Sequence, residues 1–293
     1  MIENVICPDG ELYPASECAI SCRMVRRCVP LVYAQIVMRE RIWEGKPSVT
    51  QLLNGTREMW LRIKKPYDIS LQDRAFMLLG TSAHKLLEET NVGNVIFREQ
   101  RLEYEGIVGT PDLVERWGNE NILIDHKTSG SYMVAKMKGI VETKVVKTDE
   151  EGRPIVKNGK PVMEKIFTFD KNMVDKFEYQ MQLNFYRIML ERTQDIKIDR
   201  MFNFVIVRDG GTFVAQNRGI NEKVCFIEQE ILPDKFVLDY FLYKRDELLK
   251  YIETDIMPPI CDNRENWDFR KCENYCSCSK YCDYKNYMIG GVE

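Results

Sequence analysis

The stretch with the most chemical content is "GTPDLVERWGNENILIDHKTSG", residues 109–130. It places Asp112 near the middle of one expected strand and Asp125 and Lys127 near the end of the next. Side chains alternate along a strand, so Asp125 and Lys127 share a face. An antiparallel turn at "WGNEN" sets Asp112 beside Asp125. Two carboxylates that close repel each other in an apolar setting, and a divalent cation is the simplest remedy. Lys127 on the same face can orient a water or stabilise developing negative charge. Taken singly, each residue reads as an ordinary turn acid or a solvated lysine. The context says otherwise, because Ile122, Leu123 and Ile124 lead straight into three ionisable groups.

"GTPD-x12-DHK" resembles motifs II and III of the PD-(D/E)XK nucleases, in the RecB-type branch that includes CRISPR-adaptation nucleases and phage recombination exonucleases. Two further features of that branch occur in order: His84 in "TSAHKLLEE", and Gln182 with Tyr186 in "QLNFY", one helical turn apart. The resemblance spans about residues 80–210, and both histidines of the chain fall in it. It implies an α/β restriction-endonuclease-like core with a mixed central sheet flanked by helices, and Mg²⁺- or Mn²⁺-dependent hydrolysis of DNA phosphodiesters. By the same resemblance His84, Asp112 and Asp125 hold the cation with the carbonyl of His126, Lys127 positions the attacking water, and Gln182 and Tyr186 brace the site or touch DNA. The expected function is a metal-dependent DNA nuclease, an exonuclease of recombination, repair or phage and mobile-element DNA processing. The alternative is a non-catalytic, zinc-stabilised nucleic-acid-binding or assembly protein on the same fold.

The elements that must position these residues follow from periodicity. Helices are expected after Cys28, over 49–65, from the Thr81/Ser82 cap of "TSAHKLLEET", and over "DKNMVDKFEYQMQLNFYRIMLERT". Strands are expected at roughly 95–105, 107–116 and 121–127, and at "RMFNFVIVRDG". "EKVCFIEQEILPDKFVLDYFLYKRDELLKYIETD" reads as helical with a break near Pro233, which makes Cys225 a buried helix residue. About 131–170 reads as a hairpin insertion turning at "EEGRP" and "KNGKP". Its lysines suggest a solvated surface hairpin rather than a DNA-backbone contact, because Asp149, Glu150 and Glu151 interrupt them.

Each end of the chain repeats one thiol spacing, C-x10-C-x3-C-x5-C: Cys7, Cys18, Cys22 and Cys28, then Cys261, Cys272, Cys276 and Cys282. The shared intervals favour two local sites, most simply Zn²⁺ on four thiolates. The resemblance favours one 4Fe-4S cluster joining the ends through Cys28, Cys272, Cys276 and Cys282. Cys278 can stand in for a neighbouring ligand. Arg23, Arg26 and Arg27 of the first lobe can meet a DNA backbone or a protein. The domains expected are a metal-binding segment 1–30, a nuclease domain 31–260 and a second metal-binding segment 261–293.

The bulk composition fits this outline. The 293 residues are 44% hydrophobic and 30% charged, with a net charge of −3 that advertises no global nucleic-acid affinity. "MIENVICPDGE" lacks the basic start and apolar stretch of a secretory signal, and no apolar run approaches bilayer length, so a cytoplasmic protein without membrane contact is expected. Cysteines there bind metal more readily than they form disulfides. DNA and a recombination or replication protein are the expected partners.

Overall fold

The computed structural model describes residues 1–40, 42–90 and 92–289. In chain order they form β1 (Ile2–Ile6), β2 (Leu12–Pro14), α1 (Ala15–Cys18), α2 (Leu31–Val37), α3 (Val49–Leu52), α4 (Thr56–Lys64), β3 (Tyr67–Ser70) and α5 (Ala75–Glu89). The central part contains β4 (Val95–Arg98), β5 (Leu102–Tyr104), β6 (Ile107–Gly109), β7 (Leu113–Trp117), β8 (Glu120–Ser129), α6 (Ser131–Lys138), β9 (Ile140–Val146), β10 (Val156–Lys157), β11 (Lys160–Pro161) and β12 (Met163–Phe169). Then come α7 (Phe177–Thr193), β13 (Arg200–Val207), α8 (Phe213–Gln216), β14 (Val224–Gln229), α9 (Asp234–Thr254), α10 (Asn263–Asn266), α11 (Arg270–Asn274) and α12 (Tyr284–Ile289).

The centre is a mixed five-stranded sheet in the order β14-β13-β8-β7-β4, flanked by helices. Strands β8 and β13 run parallel, and the other neighbours are antiparallel. Leu123 and Met201 face α7, whose buried Met181, Leu183, Phe185, Ile188 and Met189 complete the main core. Ile122, Ile124 and Phe202 face the other way, into a smaller cluster with Trp117 and Phe204. Alternation along β8 thus has an apolar layer to satisfy on each side.

Four expectations change. Residues 224–229 are an edge strand, so Cys225 lies on β14 and not on a helix; its β-branched and aromatic neighbours pair with β13. The strand expected over 107–116 breaks at "TPD", because Pro111 has no N–H for a ladder. Asp112 therefore sits in the connection before β7 and not in mid-strand. Helix α5 starts at Ala75, six residues before the expected Thr81 cap, and Thr81 Oγ1 instead donates to the Met77 carbonyl (3.0 Å). Of the 131–170 insertion, the first part is α6, whose Val134 and Met137 pack with Val205 and Val207. The hairpin itself is β9 with β12, carrying the small β10–β11 turn at Asn158-Gly159.

The ends are built differently. Strand β1 pairs antiparallel with β2 and parallel with β3. Val5, Cys18, Ala34, Val37, Ile69 and Leu71 bury together there. The C-terminal segment packs on α4 through Arg57–Asp283 (2.6 Å) and Lys271–Glu58 (2.6 Å), with Arg57 and Glu58 both buried. No helix among the described residues is long and apolar enough to cross a membrane.

Candidate functional site

The β7–β8 register pairs Leu113 with Ile124, which brings Asp112 level with Asp125 as the spacing predicts. Asp112 Oδ2 accepts the His126 N–H (2.7 Å), lies 3.5 Å from His84 Nδ1, and is 3.9 Å from His126 Nδ1. His84 comes from α5 and meets the His126 ring edge to face, with centroids 5.9 Å apart. His84, Asp112 and His126 offer three donor atoms all within 4.8 Å of one another. The expected ligand set is altered in two respects. The His126 ring, and not only its carbonyl, joins the group. Asp125 is engaged elsewhere.

Asp125 is 1% exposed, and four donor contacts hold its carboxylate. Lys127 Nζ sits 3.0 Å from Oδ1 and 2.8 Å from Oδ2. Gln182 Nε2 donates to Oδ1 (3.3 Å), and Asn203 Nδ2 donates to Oδ2 (2.7 Å). Gln182 Nε2 also reaches the Tyr186 hydroxyl (3.2 Å), and Gln229 Nε2 donates to Asn203 Oδ1 (2.7 Å). Asn203 and Gln229 are the residues that sequence reasoning missed. The one available signal was an amide inside each apolar strand, at "MFNFV" and "CFIEQ". Their role appears only with the register, which sets Asn203 directly beside Asp125.

Burial, and then the Asp125 charge, push the Asp112 carboxyl up to about 8, against the pull of Lys127 and the His126 N–H. Glu99 raises it further; its N–H donates to the Asp112 carbonyl (3.0 Å), and it lines the same cleft. Burial, then His84, lower the pKa of His126, which keeps its ring neutral and able to ligate. Burial works to lower Lys127, but the Asp125 carboxylate outweighs it and the ammonium is held. Burial, then Asp125, push Tyr186 up to about 12, so its hydroxyl stays protonated.

His84, Asp112, Asp125, Lys127, Gln182 and Tyr186 line an open cleft of about 600 Å³, and His126 is not among its lining residues. Trp43 and Arg101 form part of its wall. Gly109 of "GTPD" keeps the cleft floor tight. A Cβ there would lie 2.8 Å from Tyr186 Cε1 and 2.9 Å from Met189 Sδ. The donor set of two imidazoles and one carboxylate fits a divalent cation, Mn²⁺ better than Mg²⁺, which prefers all-oxygen ligands.

Both thiol quartets gather locally. Burial, then Cys28, Cys22 and Cys7, push the Cys18 thiol up, which places Cys28 with the N-terminal quartet. The "CPDG" turn closes on itself, with Gly10 N–H donating to the Cys7 carbonyl (2.8 Å). Arg23 pairs with Asp9, and Arg27 donates to the carbonyls of Cys18 (3.3 Å) and Ile20 (2.8 Å). Of the three arginines considered for DNA, two are thus engaged in building the lobe. At the other end Cys261, Cys272, Cys276 and Cys282 line one small cavity of about 20 Å³ against α4. Burial, then Cys276 and Cys282, push Cys272 up to about 11. Asn266 pins this lobe, donating to the Cys261 carbonyl (2.8 Å) and accepting from Phe269 N–H (2.8 Å). Cys278 is fully buried in the main core and does not line that cavity. Among the described residues no three thiols fall within 4.8 Å of one another, so the quartets are gathered but not closed to zinc-ligand spacing.

No family model and no curated protein sequence matches the chain. Among solved structures, the one described as "Crystal structure of SSO0001" is similar at a TM-score of 0.38 and 17% identity, covering 86% of this chain and 92% of that one. A likeness that slight carries no argument about fold or chemistry.

Proposed function

We propose that the chain is a metal-dependent DNA nuclease, an exonuclease of recombination, repair or mobile-element DNA processing, on a restriction-endonuclease-like core. The observation that carries this reading is the convergence of His84 and Asp112 with the Asp125–Lys127 pair in one cleft, with the His126 ring joining His84 and Asp112 from the other face of the sheet. His84, Asp112 and His126 would hold Mn²⁺ or Mg²⁺, which neutralises phosphate charge and acidifies a bound water. Lys127, fixed by Asp125, presents an ammonium at the cleft floor for a phosphate oxygen or the incoming water. Gln182 and Asn203 hold Asp125, and Tyr186 buttresses Gln182. The thiol quartets are read as two structural metal sites, zinc being the simplest occupant. The company of Cys28 and Cys18 supports separate sites over one cluster joining the ends.

A second reading draws on the saturation of Asp125. A carboxylate this buried and this well held also suits a purely structural ion pair, as in a non-catalytic nucleic-acid-binding or assembly protein. Incubating linear and closed circular DNA with Mn²⁺ or Mg²⁺ separates the two. The nuclease reading expects cleavage by the wild type and its loss in His84→Ala, Asp112→Asn and Lys127→Ala. Wild-type cleavage that survives all three substitutions overturns the site, and no cleavage with either cation overturns the nuclease reading and favours the second.

A further inference from the structure

The C-terminal thiols gather on the first turn of α4, and three features of that turn point at their sulfurs. The first is Gly55, after which α4 starts without a side-chain cap. A Cβ at Gly55 would overlap Cys261 Sγ and stand 3.2 Å from Cys261 Cβ, so the absent side chain leaves the room that the sulfur fills. Gly55 has φ −59°, which any residue adopts, so the glycine serves space and not backbone freedom. The second is the Glu58 N–H, in the third position of the helix. Burial pushes the Cys261 thiol up to about 12, and this N–H is the chief pull the other way. A sulfur from far along the chain thus stands where a capping side chain would accept.

Arg57 is the third feature. It is 4% exposed and lines the small cavity that holds Cys261, Cys272, Cys276 and Cys282. One end of its guanidinium is satisfied, because Nη2 meets the carboxylate of Asp283 (2.6 Å), the residue after Cys282. Its Nε is buried with no acceptor among the described residues. A buried N–H left unmade is costly. After burial, which raises the Cys282 thiol, Arg57 is the strongest influence on it and favours the thiolate. The other charges on the cavity wall are matched among themselves. Glu58 takes Lys271 (2.6 Å) and Arg62 (2.8 Å), and Glu265 takes Lys244. One donor is left over, beside a set of sulfur acceptors.

We propose that the first turn of α4 is the outer shell of the C-terminal thiolate centre: Arg57 Nε donates to the Cys282 sulfur and the Glu58 N–H to the Cys261 sulfur, which makes Arg57 a positioning residue for the metal held there. This rests on the reading of the quartet as a metal site. Four thiolates around one divalent ion carry excess negative charge, which a helix N-terminus and a buried guanidinium offset. Donors in this outer position also fix the sulfurs without taking a coordination place.

The test uses the full chain with Cys18→Ser, so that the C-terminal quartet reports alone. Zn²⁺ affinity is read by competition with a chromophoric chelator, and Co²⁺ is the spectroscopic probe of thiolate ligation. Arg57→Gln should weaken Zn²⁺ binding about 10- to 100-fold. It should also move the sulfur-to-Co²⁺ charge-transfer band to longer wavelength, because a sulfur relieved of its donor gives up electron density more easily. Asp283 is 52% exposed, so Asp283→Asn breaks a solvated ion pair and keeps Nε. It should change affinity by less than about threefold and leave the band in place. Gly55→Ala should expel Cys261 and remove about a quarter of the band intensity, one sulfur of the four. Arg57→Gln with unchanged affinity and band overturns the outer shell, as does full band intensity in Gly55→Ala. An equal loss in Asp283→Asn overturns it too, because docking of the C-terminal segment would then explain the effect. A Cys18→Ser chain that takes up neither Zn²⁺ nor Co²⁺ overturns the metal reading of the quartet together with its outer shell.

Discussion

Removing Lys127 leaves Asp125 as a buried carboxylate held only by neutral amides. Asp125 has a side chain 2% exposed, while Lys127 keeps 23% of its own exposure. Breaking one side of a buried pair costs about 3–5 kcal/mol, and the partial exposure of Lys127 places Lys127→Ala near about 3 kcal/mol. For a chain of this size that lowers the melting temperature by about 6–12 °C. In an Asp125→Asn background the charge to be compensated is gone, and the side-chain oxygen still accepts from Asn203. There Lys127→Ala should cost only about 1 kcal/mol, the packing of its methylenes. The double-mutant cycle therefore predicts a coupling of about 2 kcal/mol. Urea unfolding at pH 7, without added divalent cation, measures all four corners. Additivity to within about 0.5 kcal/mol would show that the pair is not an energetic unit and would refute the argument.

Three further outcomes follow from the same geometry. Asp112 is raised to about 8 when folded, so the cation-free protein loses stability from this group as pH climbs from about 4 through 8. A cation needs the ionised form, so Mn²⁺ affinity by calorimetry should rise about tenfold per pH unit below 8, with proton release, and level off above it. Gly109→Ala pushes a methyl into Tyr186 and Met189 and should cost about 1–3 kcal/mol in chemical unfolding. Cys18→Ser should lose the N-terminal metal while leaving the C-terminal content intact, and Cys272→Ser the reverse; elemental analysis in which either change empties both ends would favour a shared cluster.

Local pattern made much of this legible. The "ENILIDHK" strand and the helix from Phe177 to Thr193 carry their periodicity in plain view, and the site residues they hold come together. What stayed hidden depended on pairing. Val224 to Gln229 has enough apolar content for either helix or strand, and only the free edge of β13 decides it. Asn203 and Gln229 look like isolated amides until the parallel register sets the first beside Asp125.

The separation of Asp125 from the His84–Asp112–His126 group has one physical origin. Alternation along β8 sends Asp125 and Lys127 to the face covered by α7 and sends His126 to the opposite face, where Phe204 meets its ring at 5.9 Å and α5 brings His84. A residue inside a strand can serve only one of these faces. Pro111 stops the strand, so Asp112 belongs to neither face. From that connection its carboxylate accepts the His126 backbone N–H, lies against the His84 imidazole, and still feels the charge of Asp125 from the far side. The proline of "GTPD" is thus what allows one acid to join two halves of a site that the sheet would otherwise keep apart. Restoring a ladder donor with Pro111→Ala while retaining Asp112 should draw the acid toward a single face. The two histidines would then remain, but without the carboxylate oxygen that completes the three-atom donor group.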